Sequence, residues 1–170
     1  MNLFLLRHAE AVKLGAHGFL NDRKRALNKV GIEQSEIVAR AVIAMNLRFD
    51  VILCSTYLRA KQTAAILTQQ CDFLPKPVYT ASLAVEAKIL TFIESIGKRY
   101  HSYDSILVVG HNPFLTELVS ILISGQEDAG IVVKKAELIK LKIFGQLQVG
   151  KCAQLQWKLP ARLLELLCVK

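Results

Sequence analysis

Three short apolar runs, each four residues long, recur along the chain between segments of helical spacing. The runs are Leu3–Leu6, Val51–Cys54 and Ile106–Val109. Uninterrupted runs of this length are typical of strands that are buried on both faces of a parallel sheet. The alternation of strand and helix predicts an α/β fold: a three-layer α/β/α domain with a mostly parallel central sheet and short right-handed crossovers.

Four segments between and after these runs are predicted to be helices. Apolar residues fall three and four positions apart over 32–45, 60–67 and 89–97, which is the period of one helix face. The fourth helix is expected to end near Ile123. The dipeptide Asn112-Pro113 predicts its start, with asparagine as the N-cap and proline at the first helical position.

The last part of the chain changes its pattern. Ile139–Ile143 and Leu155–Leu159 alternate apolar and polar residues, which predicts late strands that extend the sheet at an edge. The leucine-rich segment Ala161–Val169 is expected to close the fold as an amphipathic helix packed on its own sheet. Since no linker divides the sequence and 170 residues suit one core, we predict a single domain over residues 1–170.

Charged and imidazole side chains follow all three predicted strands. Arg7-His8 ends the first strand, Arg59 follows the second, and Gly110-His111 ends the third. In open α/β sheets ligands bind outside the carboxyl ends of the strands. Two arginines, two histidines and a helix N-terminus at this edge predict a site for a phosphoryl group. The long irregular stretch Ala11–Arg25 is also expected to be functional.

The net charge and the residue composition limit the classes of partner and cofactor that the sequence predicts. The net charge of +8 favours an acidic partner. No basic tail, P-loop or basic patch interleaved with aromatic residues is present, so we predict no nucleic-acid partner. The apolar start, Met1–Leu6, is too short for a signal core or a membrane span, which predicts a cytoplasmic protein without a membrane partner. The cysteines and histidines show no metal-binding spacing, so no metal or other cofactor is expected.

Three motifs together resemble a known family. L-L-R-H-A-E at 5–10, S-T-Y-L-R-A-K-Q-T at 55–63 and V-V-G-H-N-P at 108–113 are similar to the three signatures of the histidine phosphatase superfamily, in the same order. The resemblance implies a phosphoglycerate-mutase-like fold. The segment 22–27, which reads D-x-x-R-x-L, and Trp157 make the chain similar to the small phosphohistidine phosphatases of the SixA type.

The resemblance implies a role for each matching residue. His8 would be the nucleophile that becomes phosphorylated, in a reaction without metal. The phosphoryl oxygens would be bound by cationic side chains, namely Arg7, Arg59 and His111. Arg25 matches the arginine of the D-x-x-R segment and would complete the pocket, although Ala26 and Asn28 stand where the family often has proline and threonine.

The chemistry of these roles sets two expectations. His8 must be neutral to attack phosphorus, so its second ring nitrogen should donate to a backbone carbonyl that fixes the tautomer, and the rate should fall as the pH drops through its pKa, about 6.5 if unperturbed. The charge on three equatorial oxygens calls for guanidinium groups and a cationic His111.

A general acid is the missing part of the pattern. Glu86 lies in the right region, but S-L-A-V-E at 82–86 lacks the context of the family's acid, and we interpret Glu86 as an exposed residue at a helix N-terminus. Because imidazole leaves more easily than an alkoxide, this favours a phosphohistidine carried by a protein as the substrate.

Three alternatives remain open at this stage. A phosphomonoesterase or phosphoglycerate-mutase-like enzyme acting on small phosphorylated metabolites would use the same pocket. A cysteine phosphatase would use Cys54, although Cys54 and Arg59 form C-x4-R without glycine rather than C-x5-R, and replacing Cys54 with serine would then abolish activity. A non-catalytic phosphate-binding or nucleic-acid-binding module is the third.

Overall fold

The central sheet has six strands in the order β3-β2-β4-β1-β5-β6. The computed structural model describes residues 1–15 and 21–168. The pairs β1–β4, β2–β4 and β2–β3 are parallel, and the pairs β1–β5 and β5–β6 are antiparallel. The strands are β1 Asn2–Arg7, β2 Val51–Ser55, β3 Val78–Thr80, β4 Ser105–Gly110, β5 Leu138–Ile143 and β6 Ala153–Leu159.

Helices cover both faces of this sheet. The helices are α1 Lys29–Ala44, α2 Leu58–Gln70, α3 Ile89–Arg99, α4 Phe114–Ser124 and α5 Ala161–Leu166. Leu3 and Leu5 of β1 pack in one core with α3 and α4, whereas Phe4 and Leu6 pack in a second core with α1, α2 and α5. Alternate side chains of a strand point to opposite faces. The predicted three-layer α/β fold with a mostly parallel sheet is therefore confirmed.

The start of α4 differs from the prediction. Asn112 does not cap this helix, and Phe114, not Pro113, is its first residue; the Asn112-Pro113 peptide bond is cis. The Asn112 side chain instead donates from Nδ2 to the Val133 carbonyl at 2.9 Å. The prediction was wrong because the side chain has a partner 21 residues away, which competes with local capping.

The remaining elements follow the expected order with three differences. The strand β3 carries no apolar run and was not predicted. The helix α3 continues past Gly97 to Arg99. The segment Ala161–Val169 forms α5 only over Ala161–Leu166, and Val169 lies outside the described residues, as do residues 16–20 of the irregular stretch. None of the described helices is long and apolar enough to cross a bilayer.

Candidate active site

The predicted site residues meet at the carboxyl edge of the central strands. Since β1 and β2 both flank β4 in parallel, their ends lie side by side. The His8 backbone N–H donates to the Gly110 carbonyl at 3.0 Å, and the His8 and His111 ring centroids are 4.9 Å apart. A cavity of about 280 Å³ is lined by Arg7, His8, Arg25 and Arg59.

His8 is buried and held in one tautomer. Its side chain is 6% exposed. Nδ1 lies 2.7 Å from the Ala9 carbonyl, and Arg59 donates from Nε to His8 Nε2 at 3.1 Å. A carbonyl oxygen accepts only, and a guanidinium donates only. Nδ1 therefore carries the proton, as predicted for a neutral His8, and the unprotonated Nε2 accepts from Arg59 at the cavity.

Burial and neighbouring charge keep the His8 ring neutral. Burial lowers the pKa of His8 to about 2, and the nearby charges of Arg59 and Arg7 act in the same direction. A buried imidazolium beside arginines would be both desolvated and repelled. The pKa of His8 in the protein is therefore far below the unperturbed value of about 6.5 on which the expected pH dependence of the rate was based.

Arg59 is fixed from its far side by Asp22. The Arg59 side chain is 3% exposed; Nη1 donates to the Asp22 carbonyl at 2.7 Å and Nη2 to Asp22 Oδ2 at 2.9 Å. The other carboxylate oxygen, Oδ1, accepts from Arg25 Nε at 2.7 Å. Burial acts to raise the pKa of Asp22, but hydrogen bonds from Arg25 and Arg59 outweigh it and lower the pKa below its ordinary value. One carboxylate thus orients two arginines of the cavity.

The surroundings of His111 in the protein favour its neutral form, whereas the expected cationic form concerns a bound phosphoryl group and stays a prediction. Burial, followed by the charge of Arg59, lowers the pKa of His111 to about 3. His111 Nε2 lies 2.7 Å from Ser55 Oγ, and Ser55 Oγ accepts from the Tyr57 backbone N–H at 3.4 Å. Among the described residues, the Ser55 hydroxyl proton has no acceptor other than His111 Nε2. With that proton donated to Nε2, the His111 proton lies on Nδ1.

Two donors and one acceptor near the cavity lack partners. Arg7 Nε, His111 Nδ1 and Asn112 Oδ1 are buried and have no hydrogen-bond partner among the described residues. Unpaired buried polar atoms are costly, and native structures hold few of them. The two N–H groups belong to residues predicted to bind phosphoryl oxygens, and an oxyanion would satisfy both.

The segment that holds Arg7 was not anticipated. Arg7 Nη1 donates to the Val133 carbonyl at 2.8 Å, and the Ala136 backbone N–H donates to the Arg7 carbonyl at 3.0 Å. Lys135, which also lines the cavity, donates to both oxygens of Glu10 at 2.6 and 2.7 Å. The contacts with Arg7 involve backbone atoms, and the ion pair joins residues 125 positions apart in the sequence. We find no sequence signal for either.

The backbone after His8 is held by hydrogen bonds to side chains of α1 and α2. The Ala9 N–H donates to Thr63 Oγ1 at 3.2 Å, and the Glu10 N–H donates to Gln34 Oε1 at 3.0 Å. A Cβ added at Gly31 would lie 1.9 Å from the Glu10 carbonyl oxygen. Only glycine allows this approach. Thr63 was within the quoted S-T-Y-L-R-A-K-Q-T motif, so its position carried a signal.

Glu86 and Cys54 take no place in the cavity lining. Glu86 lies three residues before α3 rather than in its first turn, and its carboxylate accepts from the Tyr57 hydroxyl at 2.9 and 3.0 Å. A hydrogen bond from its own backbone and the one from Tyr57 lower the pKa of Glu86.

Burial raises the pKa of the Cys54 thiol to about 12, which leaves it inert as a nucleophile. Among the described residues, no three His, Cys, Asp or Glu side chains group as a metal site.

The chain belongs to the histidine phosphatase superfamily. The model of branch 1 of that superfamily matches residues 3–83. An uncharacterized protein of Picosynechococcus sp. is 32% identical over 143 residues, which cover 84% of this chain and 85% of the relative.

Solved structures with the same fold include SixA proteins. The protein histidine phosphatase SixA complexed with tungstate is 18% identical, with a TM-score of 0.81, and 95% of this chain and 98% of that chain are covered. A candidate phosphohistidine phosphatase SixA from Agrobacterium tumefaciens is 25% identical, with a TM-score of 0.75 and coverage of 93% and 96%.

The fold is also shared with a protein assigned a different substrate. A candidate α-ribazole-5′-P phosphatase from Escherichia coli is 20% identical, with a TM-score of 0.76 and coverage of 95% and 98%. The comparisons thus support the SixA-type resemblance and a phosphatase of the superfamily. They leave the substrate to be argued from the site.

Proposed function

We propose that this protein is a phosphohistidine phosphatase that removes phosphate from a histidine of another protein through a phosphorylated His8. The observation that carries the proposal is the neutral His8 ring, whose unprotonated Nε2 accepts from Arg59 at a cavity lined by Arg7, Arg25 and Arg59. A neutral nucleophile among permanent cations suits attack on an anionic phosphoryl group.

The first step transfers the phosphoryl group to His8. Arriving oxygens take up the unpaired N–H groups of Arg7 and His111, and Arg59 turns its Nε–H from His8 Nε2 towards them. The bond from His8 Nε2 to phosphorus forms while the bond from phosphorus to the substrate nitrogen breaks, and that nitrogen keeps the electron pair. The proton stays on His8 Nδ1, where the Ala9 carbonyl stabilises the resulting cationic ring.

The leaving group decides between the two substrate classes. Carboxylates near the cavity are engaged: Glu10 with Lys135, Asp22 with the two arginines, Glu86 with Tyr57, and Glu137 with Lys158. The pKa values of Asp22 and Glu86 are lowered, so both are ionised at neutral pH. An alkoxide needs a proton donor, whereas a substrate imidazole protonated on its second nitrogen leaves as a neutral ring. This favours phosphohistidine.

The second step regenerates the enzyme. Water attacks phosphorus, the bond to His8 Nε2 breaks, and His8 returns to its neutral form with Nδ1 still protonated. Inorganic phosphate leaves and the second water proton goes to solvent or to phosphate. Since His8 and the arginines supply nucleophile and charge, the proposal needs no metal ion, and a chelator is expected to leave the rate unchanged.

The second candidate is a phosphomonoesterase acting on small phosphorylated metabolites. It is favoured by the position of Glu10, which lines the cavity; released from Lys135 and carrying a proton taken from solvent, its carboxyl group would donate that proton to an alkoxide. Comparing kcat/KM for a phosphohistidine peptide and for alkyl phosphates separates the two, because only the second requires such an acid.

The deciding experiment locates the phosphate during turnover. A reaction with ³²P-labelled phosphohistidine peptide is quenched, and the labelled enzyme is tested for loss of label in acid and retention in base. We expect an acid-labile, base-stable label that is lost in His8→Ala together with turnover. Cys54→Ser is the matched control and should keep both label and rate. A His8→Ala variant with a near wild-type rate would refute the assignment.

A further inference from the structure

Five basic side chains line the cavity or are next in sequence to residues that build the site. We call them the basic rim: Lys13, Arg23, Lys24, Lys134 and Lys135. Lys13 and Lys135 line the cavity. Lys134 lies between Lys135 and Val133, whose carbonyl holds Arg7.

Arg23 and Lys24 are placed by the same contacts that build the site. They follow Asp22, which is fastened to Arg59, and precede Arg25. The Arg23 guanidinium lies 5.6 Å from the centre of the Tyr57 ring, and that ring lies 5.0 Å from the His111 ring. Arg23 and Lys24 are themselves exposed, so their charges face solvent beside the cavity.

The carboxylates of this face do not cancel the basic rim. Asp22 is paired with two arginines inside the site, and Glu10 is matched by Lys135 alone. Glu86 contributes one further negative charge close to Arg23. Four basic side chains then remain against one carboxylate, Glu86: Lys13, Arg23, Lys24 and Lys134. This face therefore keeps a positive net charge in addition to the arginines that would bind the phosphoryl group.

We propose that the basic rim docks an acidic surface that flanks the phosphohistidine of a protein substrate, so that charge on the partner selects it. This inference rests on the proposed function. The phosphoryl group is served by the three arginines of a cavity of about 280 Å³. Arg23, Lys24 and Lys134 are exposed and lie outside the lining of that cavity. Only a larger, negatively charged partner would contact them.

The rim acts through long-range attraction more than through fixed contacts. Exposed charges of one sign steer an oppositely charged partner and raise its association rate, and salt screens the effect. The Tyr57 ring near the rim is buried, with its hydroxyl engaged by Glu86. It therefore offers no surface on which a nucleic-acid base would stack, and an acidic protein face fits better than a nucleic acid.

The test uses three peptides that carry the same phosphohistidine. One is flanked by glutamates, one by serines and one by lysines, and kcat/KM is measured for each at about 20 mM and about 0.5 M salt. We expect the glutamate peptide to exceed the serine peptide by about tenfold at low salt, the lysine peptide to fall below it, and the differences to vanish at high salt. The readout is the ratio of kcat/KM between two peptides. Since all three peptides carry the same phosphohistidine, the chemical step affects each kcat/KM equally and does not change this ratio.

Charge reversal assigns the effect to the rim. In Arg23→Glu/Lys24→Glu the preference for the glutamate peptide should be lost. The matched control is Lys98→Glu/Lys142→Glu, two exposed lysines at the opposite edge of the sheet, where Lys142 pairs with Asn2 at the start of β1. That control should keep the wild-type ratio.

The outcomes separate this inference from the proposed function. If no phosphohistidine peptide is turned over, the proposed function fails. If all three are turned over at equal rates, or if both double variants change the ratio alike, the function stands and the docking proposal is overturned. A mixed-sequence oligonucleotide that inhibits more strongly than an unphosphorylated glutamate peptide of the same charge would assign the rim to nucleic acid and also overturn it.

Discussion

Ser55 forms a hydrogen bond with the His111 ring and sets its tautomer. Its hydroxyl lies 2.7 Å from His111 Nε2 and accepts from the Tyr57 N–H, and His111 Nε2 is the acceptor that the described residues offer to the serine proton. Since the surroundings of His111 favour its neutral form, only the Nδ1–H tautomer can donate to a phosphoryl oxygen from the unpaired ring nitrogen. Ser55 is in this sense a positioning residue, and it acts through the proton of its neighbour.

Ser55→Ala is expected to lower kcat/KM by about tenfold or more, because the donating tautomer of His111 is no longer fixed. The measurement pairs steady-state kinetics with ¹⁵N NMR of the His111 ring, in which the wild-type protein should show Nδ1 protonated and the variant a mixture. Ser55→Thr, which keeps the hydroxyl, should restore both. An unchanged nitrogen spectrum in Ser55→Ala would contradict this role.

At the scale of elements, the loop after β1 depends on the start of α1. The Glu10 carbonyl accepts from the Asn28 N–H at 3.1 Å and passes so close to Gly31 that no side chain fits between them. The same loop supplies the Ala9 carbonyl that sets the His8 tautomer. A helix remote in sequence thus fixes the backbone of the proposed nucleophile.

Gly31→Ala is expected to destabilise the fold by about 1–3 kcal/mol or more, because the added methyl group overlaps the Glu10 carbonyl. It should also reduce the rate, since the displaced loop carries His8 and its acceptor. Urea unfolding and peptide turnover measure the two effects. Val30→Ala, at the exposed neighbouring position, serves as the control, and a Gly31→Ala protein as stable as that control would refute the close approach.

The sequence predicted the elements whose signals are local. The apolar runs of β1, β2 and β4 and the helical period of α1 are properties of neighbouring residues. The three motifs also placed Arg7, His8, Arg59 and His111 at one edge. Contacts between distant segments left no such trace: Asp22 reaches Arg59 across 37 residues, and Asn112 was assigned to a helix cap while its true partner was Val133. The lowered pKa of His111 was not foreseen, because burial depth is not visible in a motif.

For the whole molecule, the two buried histidines make stability depend on pH. Their pKa values in the folded state, about 2 for His8 and about 3 for His111, lie below the ordinary value of about 6.5. As the pH falls below about 6.5, the unfolded chain binds protons at these positions that the folded chain does not. The free energy of unfolding should then decrease, by up to about 1.4 kcal/mol per pH unit for each histidine.

Urea unfolding at pH 7.5, 6.5 and 5.5 tests this expectation. The wild-type protein should lose stability towards pH 5.5, and His111→Gln should show a shallower dependence. The exposed His101 provides the control, because His101→Gln should follow the wild-type curve. A free energy of unfolding that is constant from pH 7.5 to 5.5 would show that the two rings take up protons alike in the folded and unfolded chains, which would contradict their lowered pKa values.

The contact between Arg7 and the Val133 carbonyl has a consequence for biosynthesis. A nascent polypeptide that has emerged only as far as α4 already contains His8, Arg59 and His111, yet it lacks the carbonyl that orients the Arg7 guanidinium. Translation must therefore pass residue 133 before the Arg7 guanidinium is held, and a product that ends earlier lacks the complete cavity.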